Sequence, residues 1–416
     1  MPRLLQINVS ANWGSHGKIA AQIGDVAIAH RWDSYIAYGR NMNPCNSNLI
    51  RVGSSFDIVE HLIETRLLDN HGLASRKATK TLVEKINEIR PNVIHLHNIH
   101  GYYLNYRVLF DYINAIKIPV VWTLHDCWAF TGHCAHFDLL GCDKWKMHCH
   151  HCPQKKEYPI SYGLDSSANN YNIKRSLFTL IGDKLTLVPV SNWLADIVNE
   201  SFFKGMRIHT IHNGIDVDAF HPLEKAKSIS VLENYNIKRS EIEGKRIVLG
   251  CASIWDKRKG CDDFRKIRQS LSAGQYAIIM VGLNEKQIEE MKSHCIIGIV
   301  RTNSVDDLAA LYSLADVFIN PTYEDNFPTT NLEALACGTP VVTYRTGGSP
   351  EAIDADTGIV VNKGDIDAMV AAIKKLMSNS DNSQMASVCR ERATKLFSKY
   401  DRFMEYINLY EKLLAE

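Results

Sequence analysis

Short β-branched apolar runs alternate along this chain with longer stretches in which apolar residues recur every three or four positions. In the first half, residues 4–9, 93–97, 120–124 and 185–190 read as buried strands, with amphipathic helices at 18–30, 78–89 and 106–116. A second series follows, with strands at 246–249, 276–281, 317–319, 341–343 and 359–361. Its helices fall at 262–271, 305–313, 330–336 and 365–377. Alternation of this kind predicts βαβ units and mostly parallel sheets. The seam lies at Ile211-His212-Asn213-Gly214-Ile215-Asp216, where Asn-Gly signals a turn. The polar stretch from there to residue 244 is expected to be irregular.

The pattern therefore predicts an α/β chain of two doubly wound, Rossmann-like domains, residues 1–212 and 213–399. Residues 400–416 read as a terminal helix with an apolar stripe of Phe403, Ile407, Tyr410, Leu413 and Leu414. That stripe must be buried, either across both domains or on the second alone. Ligands of open parallel sheets bind beyond the carboxyl ends of the strands, and the polar motifs of this chain fall at those ends.

Composition narrows the picture further. At 416 residues the chain exceeds what one core usually organises. Its 47 Lys and Arg against 46 Asp and Glu leave a net charge of +1, which argues against a nucleic-acid partner. No apolar run approaches the length of a membrane span, and the opening segment from Arg3 to Val9 reads as a strand rather than a leader. The expectation is a soluble cytoplasmic protein whose membrane contact, if any, is peripheral at the inner face. Eleven cysteines, an odd number, do not suggest a disulfide framework.

The segment from Pro321 to Glu333 leaves a strand and enters a helix. A helix start offers N–H groups and a favourable dipole to a phosphate, here from Thr329 and Thr330, whose hydroxyls are also at hand. Glu333 suits ribose hydroxyls and Asp325 those of a sugar; a capped helix after an acidic loop is the alternative. The stretch from Asp325 through Glu333 to Val342 resembles the acidic-x7-acidic signature of family 4 retaining glycosyltransferases. That resemblance implies the GT-B fold, two Rossmann-like domains facing a central cleft. The family motif begins with Glu, whereas Asp325, one methylene shorter, stands there.

Three more stretches carry the likeness. Asn213 to Asp216 resembles the opening of the family's second domain, and Gly347-Gly348-Ser349-Pro350-Glu351 the loop after its next strand. Asp256-Lys257-Arg258-Lys259-Gly260 resembles its diphosphate-binding segment, although the family's preceding Arg is replaced at Ser253 or Ile254. The resemblance implies Lys259 and Arg258 on the diphosphate, with Asn326, Phe327, Thr329, Thr330, Asn331 and Glu333 also binding donor. It implies Asp325 on the hexose. Positive groups matter there because negative charge develops on the leaving diphosphate. The donor would be a nucleotide-diphosphate sugar, bound without a catalytic metal.

On the first domain, Asn12-Trp13-Gly14-Ser15-His16-Gly17-Lys18 joins the first strand to the first helix. It lacks the dinucleotide fingerprint, but its position matches the family's glycine-rich loop, making Gly14, Ser15, Gly17 and Lys18 substrate-binding residues. His125 ends the strand Val121-Trp122-Thr123-Leu124 and matches the family histidine that reaches the donor sugar. His95, His97, Asn98 and His100 are candidates for the acceptor side, with local packing as the alternative.

Within the Cys/His-rich insert at 126–160, Cys134, Cys142, Cys149 and Cys152 lie among His133, His136, His148, His150 and His151. Cys149-His150-His151-Cys152 has the knuckle spacing that suits tetrahedral zinc. Structural zinc would fold an otherwise coreless insert; reduced thiols are the equal alternative and disulfides the third. The stretch from Trp122 to Pro153 resembles a bacterial subgroup of the family that includes colanic-acid-type transferases of exopolysaccharide and capsule synthesis. The combined expectation is a retaining hexosyltransferase acting on a glycan or lipid-linked acceptor. A non-catalytic nucleotide-sugar-binding subunit and a GT-B sugar-nucleotide epimerase are its rivals.

Overall fold

In the computed structural model, which describes residues 1–378 and 382–416, the segment Arg3–Asn8 becomes strand β1. It pairs in parallel with β2 (Asp33–Tyr38) on one side and β4 (Val93–Leu96) on the other. With β3 (Asn48–Arg51), β5 (Val120–Leu124), β6 (Leu185–Pro189) and β7 (Arg207–Ile208), these make a parallel sheet of order β3-β2-β1-β4-β5-β6-β7. The strand order reverses between β1 and β4. Loops leaving the carboxyl ends of those two strands diverge there and open the crevice in which such sheets bind ligands.

The second sheet contains β8 (Arg246–Cys251), β9 (Tyr276–Val281), β10 (Ile297–Ile299), β11 (Val317–Asn320), β12 (Val341–Tyr344) and β13 (Gly358–Val361). Its order is β10-β9-β8-β11-β12-β13, again parallel, with the reversal between β8 and β11. Two compact units result: Met1–His212 together with Arg402–Glu416, and Asn213–Asp401. Both are α/β and doubly wound.

Helix faces follow the expected periodicity. Helix Arg76–Ile89 buries Ala78, Thr79, Leu82 and Ile86, one stripe of its surface. The terminal helix Lys399–Ala415 buries Phe403, Tyr406, Ile407, Tyr410 and Leu413. These pack with Leu4, Ile19, Ile23, Val93, Val121 and Val188 in the first unit's core. Burying each such side chain contributes about 1.5–3 kcal/mol, which fixes the helix there; Leu414 stays 42% exposed and lies outside the stripe.

The stretch expected to be irregular after the seam is instead partly helical, at Lys225–Glu233 and Arg239–Ile242. Its few apolar residues are well placed: Leu232, Ile237 and Ile242 are all buried. The cysteine-rich insert also departs from expectation. It has its own small aromatic core, in which Phe137 stacks on Trp145 at 4.9 Å and Phe130 meets Trp145 at 5.5 Å. Among the described residues, no helix is long and apolar enough to cross a membrane.

Candidate functional site

In the second unit, the loops after β8 and β11 meet at the reversal point. Gly260 makes the contact possible: its φ is +73°, and a Cβ there would stand 2.1 Å from the Pro321 carbonyl oxygen. The Tyr323 amide donates to the Arg258 carbonyl at 2.8 Å, locking the two loops together. This brings Lys259 and Asp325, distant in sequence, into an ion pair in which each side chain is about one-fifth exposed. Arg258 lies 3.9 Å from Asp256 through Nε.

Helix Thr329–Ala336 begins directly after this loop. Its N-cap is Pro328, which offers no side-chain acceptor to the first-turn amides, and Thr329 and Thr330 are half-buried. Such a helix start favours an anion. Glu333 sits one turn in and accepts a hydrogen bond from the fully buried Tyr312 hydroxyl at 2.8 Å. Burial, reinforced by Cys251 and Glu333, holds that phenol well above its ordinary range, so it remains a donor.

Other residues assigned to donor binding have a different setting. Asn331 is fully buried, accepting from Asn320 at 2.9 Å and donating to Ser349 Oγ at 2.9 Å. Its side chain ties the helix to the following loop, inside the unit rather than at its surface. Asn326 and Phe327 are also buried, and their carbonyls accept from the Gly348 amide at 2.9 Å and from Asn213 Nδ2 at 3.3 Å. Ile254, where the resemblance would place an arginine, is 68% exposed.

In the first unit, a chain of polar side chains lies at the ends of β1, β4 and β5. Gln6 Nε2 donates to the Ala20 carbonyl at 2.8 Å, which turns Gln6 Oε1 toward His97 Nε2 at 3.0 Å. His97 Nε2 must therefore carry a proton. Burial, then His95 and His16, hold the His97 pKa well below the ordinary range, so the ring is neutral and its Nδ1 accepts. The partner is His125 Nε2, at 3.1 Å, with the rings stacked at 14°. Burial and then His97 likewise depress the His125 pKa. The hydrogen-bond network thus assigns His125 a proton on Nε2 and a lone pair on Nδ1.

His95 belongs to a separate buried chain, between Thr123 Oγ1 at 2.8 Å and the Tyr410 hydroxyl at 2.6 Å. His100 bridges Asp126 Oδ2 and the Tyr158 hydroxyl, each at 2.8 Å. Burial favours the neutral Asp126 carboxyl, but His100, His136 and the Trp128 amide outweigh it and hold the pKa below the carboxylate range. The Asn98 amide donates to Asn8 Oδ1 at 3.2 Å. Gly14 starts helix Gly14–Ala29 with Ser15 and Lys18 exposed and Gly17 buried. The strand ends thus bring together His97 and His125, whereas His95 is an internal packing residue.

The structure adds partners that motif reading passed over. Gln6 and Asn8, both fully buried, are polar residues two positions apart in the buried part of β1, a signal visible in the sequence. Tyr312 carries no such signal, because only the tertiary fold brings it to Glu333. The four insert cysteines, Cys134, Cys142, Cys149 and Cys152, are all free thiols and line one small cavity.

With this geometry in place, the likeness to known proteins is informative. A model of glycosyltransferase family 4 matches residues 35–219, and one of glycosyl transferases group 1 matches residues 245–379. The colanic acid biosynthesis glycosyl transferase WcaC of Escherichia coli K12 is 23% identical over 99% of this chain and 100% of its own length. Further curated relatives are spanned over only about half of their own length, 42% and 57% for two of them. Sucrose-phosphate synthase of Thermosynechococcus elongatus superposes with a TM-score of 0.70 at 18% identity, covering 100% of both chains. Anabaena HepE, solved with UDP, gives 0.65 at 13% identity over 99% of this chain and 100% of that one. Two matched domains and a GT-B architecture lead to one conclusion: the chain is a glycosyltransferase, composed of a family 4 domain followed by a group 1 domain.

Proposed function

We propose that this glycosyltransferase moves a hexose, with retention at the anomeric carbon, from a nucleotide-diphosphate sugar to a saccharide or lipid-linked saccharide acceptor. The observation that carries the reading is the second unit's switch point. There the Lys259–Asp325 pair joins two loops, and the helix that follows, Thr329–Ala336, carries the first-turn amides and the Tyr312-anchored Glu333. In this reading Glu333 holds the ribose hydroxyls. Lys259, Arg258 and the amides of Thr329 and Thr330 receive the diphosphate, and Asp325 accepts from the hexose. In the first unit, His125 binds the donor sugar.

The acceptor oxygen bonds to the anomeric carbon as the bond to the diphosphate oxygen breaks. The acceptor proton passes to the departing nucleoside diphosphate, and the charge growing on that group meets the lysine, the arginine and the helix amides. Preorganised groups of this kind act most strongly on charge that develops in the transition state. The end-to-end likeness to a colanic acid biosynthesis enzyme supports a place in bacterial surface polysaccharide synthesis.

Incubating the purified chain with a panel of nucleotide sugars and oligosaccharide acceptors tests the proposal. The expected product is a new glycoside, whose proton NMR coupling shows the donor's anomeric configuration. Inversion, or conversion of the donor without any acceptor, contradicts it.

A further inference from the structure

We propose that the insert of the first unit binds one structural zinc ion through Cys134, Cys142, Cys149 and Cys152, a site that goes beyond the transferase reading and is independent of it. All four residues line a single cavity of about 20 Å³, room for one water-sized body. They arrive from separate turns of a segment whose regular structure amounts to the short helical turns Trp128–Phe130, Asp138–Leu140 and Lys144–Lys146. All four are free thiols rather than disulfides.

A second, independent feature points to an occupant. His133 lines the same cavity, fully buried; its Nδ1 is held by Asp69 at 2.6 Å, while its buried Nε2 has no hydrogen-bond partner. Polar atoms so deeply buried are rarely left unsatisfied.

Among the described residues, no three His, Cys, Asp or Glu side chains yet stand at metal-ligand geometry. The thiols surround the cavity without converging on a point, so binding draws the sulfurs inward to about 2.3 Å from the metal. Each thiol gives its proton to solvent as its sulfur bonds the ion. One Zn²⁺ therefore releases four protons and leaves a site of net charge −2.

Elemental analysis of the untagged full chain, expressed with zinc and purified without chelator, tests the site. About one zinc per chain is expected, and a mercurial reagent that modifies the four thiols should release it into a colorimetric chelator. Cobalt substitution should give the intense absorption of a tetrahedral four-sulfur site. A Cys149→Ser, Cys152→Ser double variant should lose the metal, while Cys295→Ser, at an exposed thiol, retains it. Should the double variant fail to fold, the wild-type release and cobalt spectrum still decide. Zinc well below stoichiometry, disulfides by mass, or a cobalt spectrum without intense sulfur-to-metal absorption overturns the site.

Discussion

The Tyr312 hydroxyl donates to Glu333 Oε2 at 2.8 Å. One oxygen of the carboxylate is thereby held by a buried side chain from the preceding helix, Val305–Leu314. A carboxylate fixed in this way meets a sugar hydroxyl with less conformational entropy to lose. Tyr312→Phe keeps the ring and removes the donor. Hydrogen bonds to charged groups contribute about 1.5–3 kcal/mol, so calorimetry should show nucleotide-sugar affinity about ten- to hundredfold weaker with the fold intact. Unchanged affinity would show that the anchor is irrelevant to binding.

Gly347 permits the loop after β12 to reach the Asp325 segment. Its φ is +50°, and a Cβ there would lie 1.7 Å from the Asp325 carbonyl oxygen. Gly347→Ala is therefore strained in backbone and in space, with a destabilisation of about 1–3 kcal/mol. Thermal unfolding should show a lower midpoint, and donor affinity should fall as Asp325 is displaced. A wild-type melting curve contradicts this contact.

Gln6 sets the proton positions on His97 and, through it, on His125. In Gln6→Met, His97 loses the acceptor for its Nε2 proton. Nitrogen-15 NMR of histidine-labelled protein should find wild-type His125 protonated at Nε2, and a mixture of tautomers in the variant. An Nδ1-protonated His125 in the wild type contradicts the assigned network.

The buried histidines make stability depend on pH. His61 is fully buried, and its Nε2 accepts from the Gly72 amide at 2.9 Å. Burial lowers its pKa to about 3 from the unfolded value near 6.5. The unfolded chain thus binds a proton that the folded chain refuses between those values, and stability is lost as pH falls below 6.5. One such group changes stability by about 1.4 kcal/mol per pH unit inside that window. Burial shifts His71, His95, His97 and His125 in the same direction. Urea titrations from pH 7 to pH 5 should show a falling midpoint, less steep in His61→Gln. A flat profile contradicts neutral buried rings.

Local pattern carried most of the strands, because runs such as Val120–Leu124 are buried along their whole length. It carried less where burial is non-local. The stripe of helix Lys399–Ala415 was visible, but its partners Leu4, Val93 and Val188 lie hundreds of residues earlier. Strand β2, Asp33–Tyr38, was missed because polar residues dilute its apolar side. At the switch point, Lys259 and Asp325 each stood in a recognisable motif. Their pairing depends on Gly260 and the docking of two loops, which spacing alone does not encode. The interior position of Asn331 is a tertiary fact of the same kind.

The central claim, that the second unit's switch point holds a nucleoside diphosphate through Glu333 and Lys259, has one direct test. Titrate nucleoside diphosphates and their hexose derivatives calorimetrically into the wild-type chain, Glu333→Ala and Lys259→Met, checking each by circular dichroism. At least one nucleotide should bind the wild type, and each folded variant should bind it about tenfold or more weakly, a loss of about 1.4 kcal/mol or greater. Equal affinity in all three proteins would contradict the account.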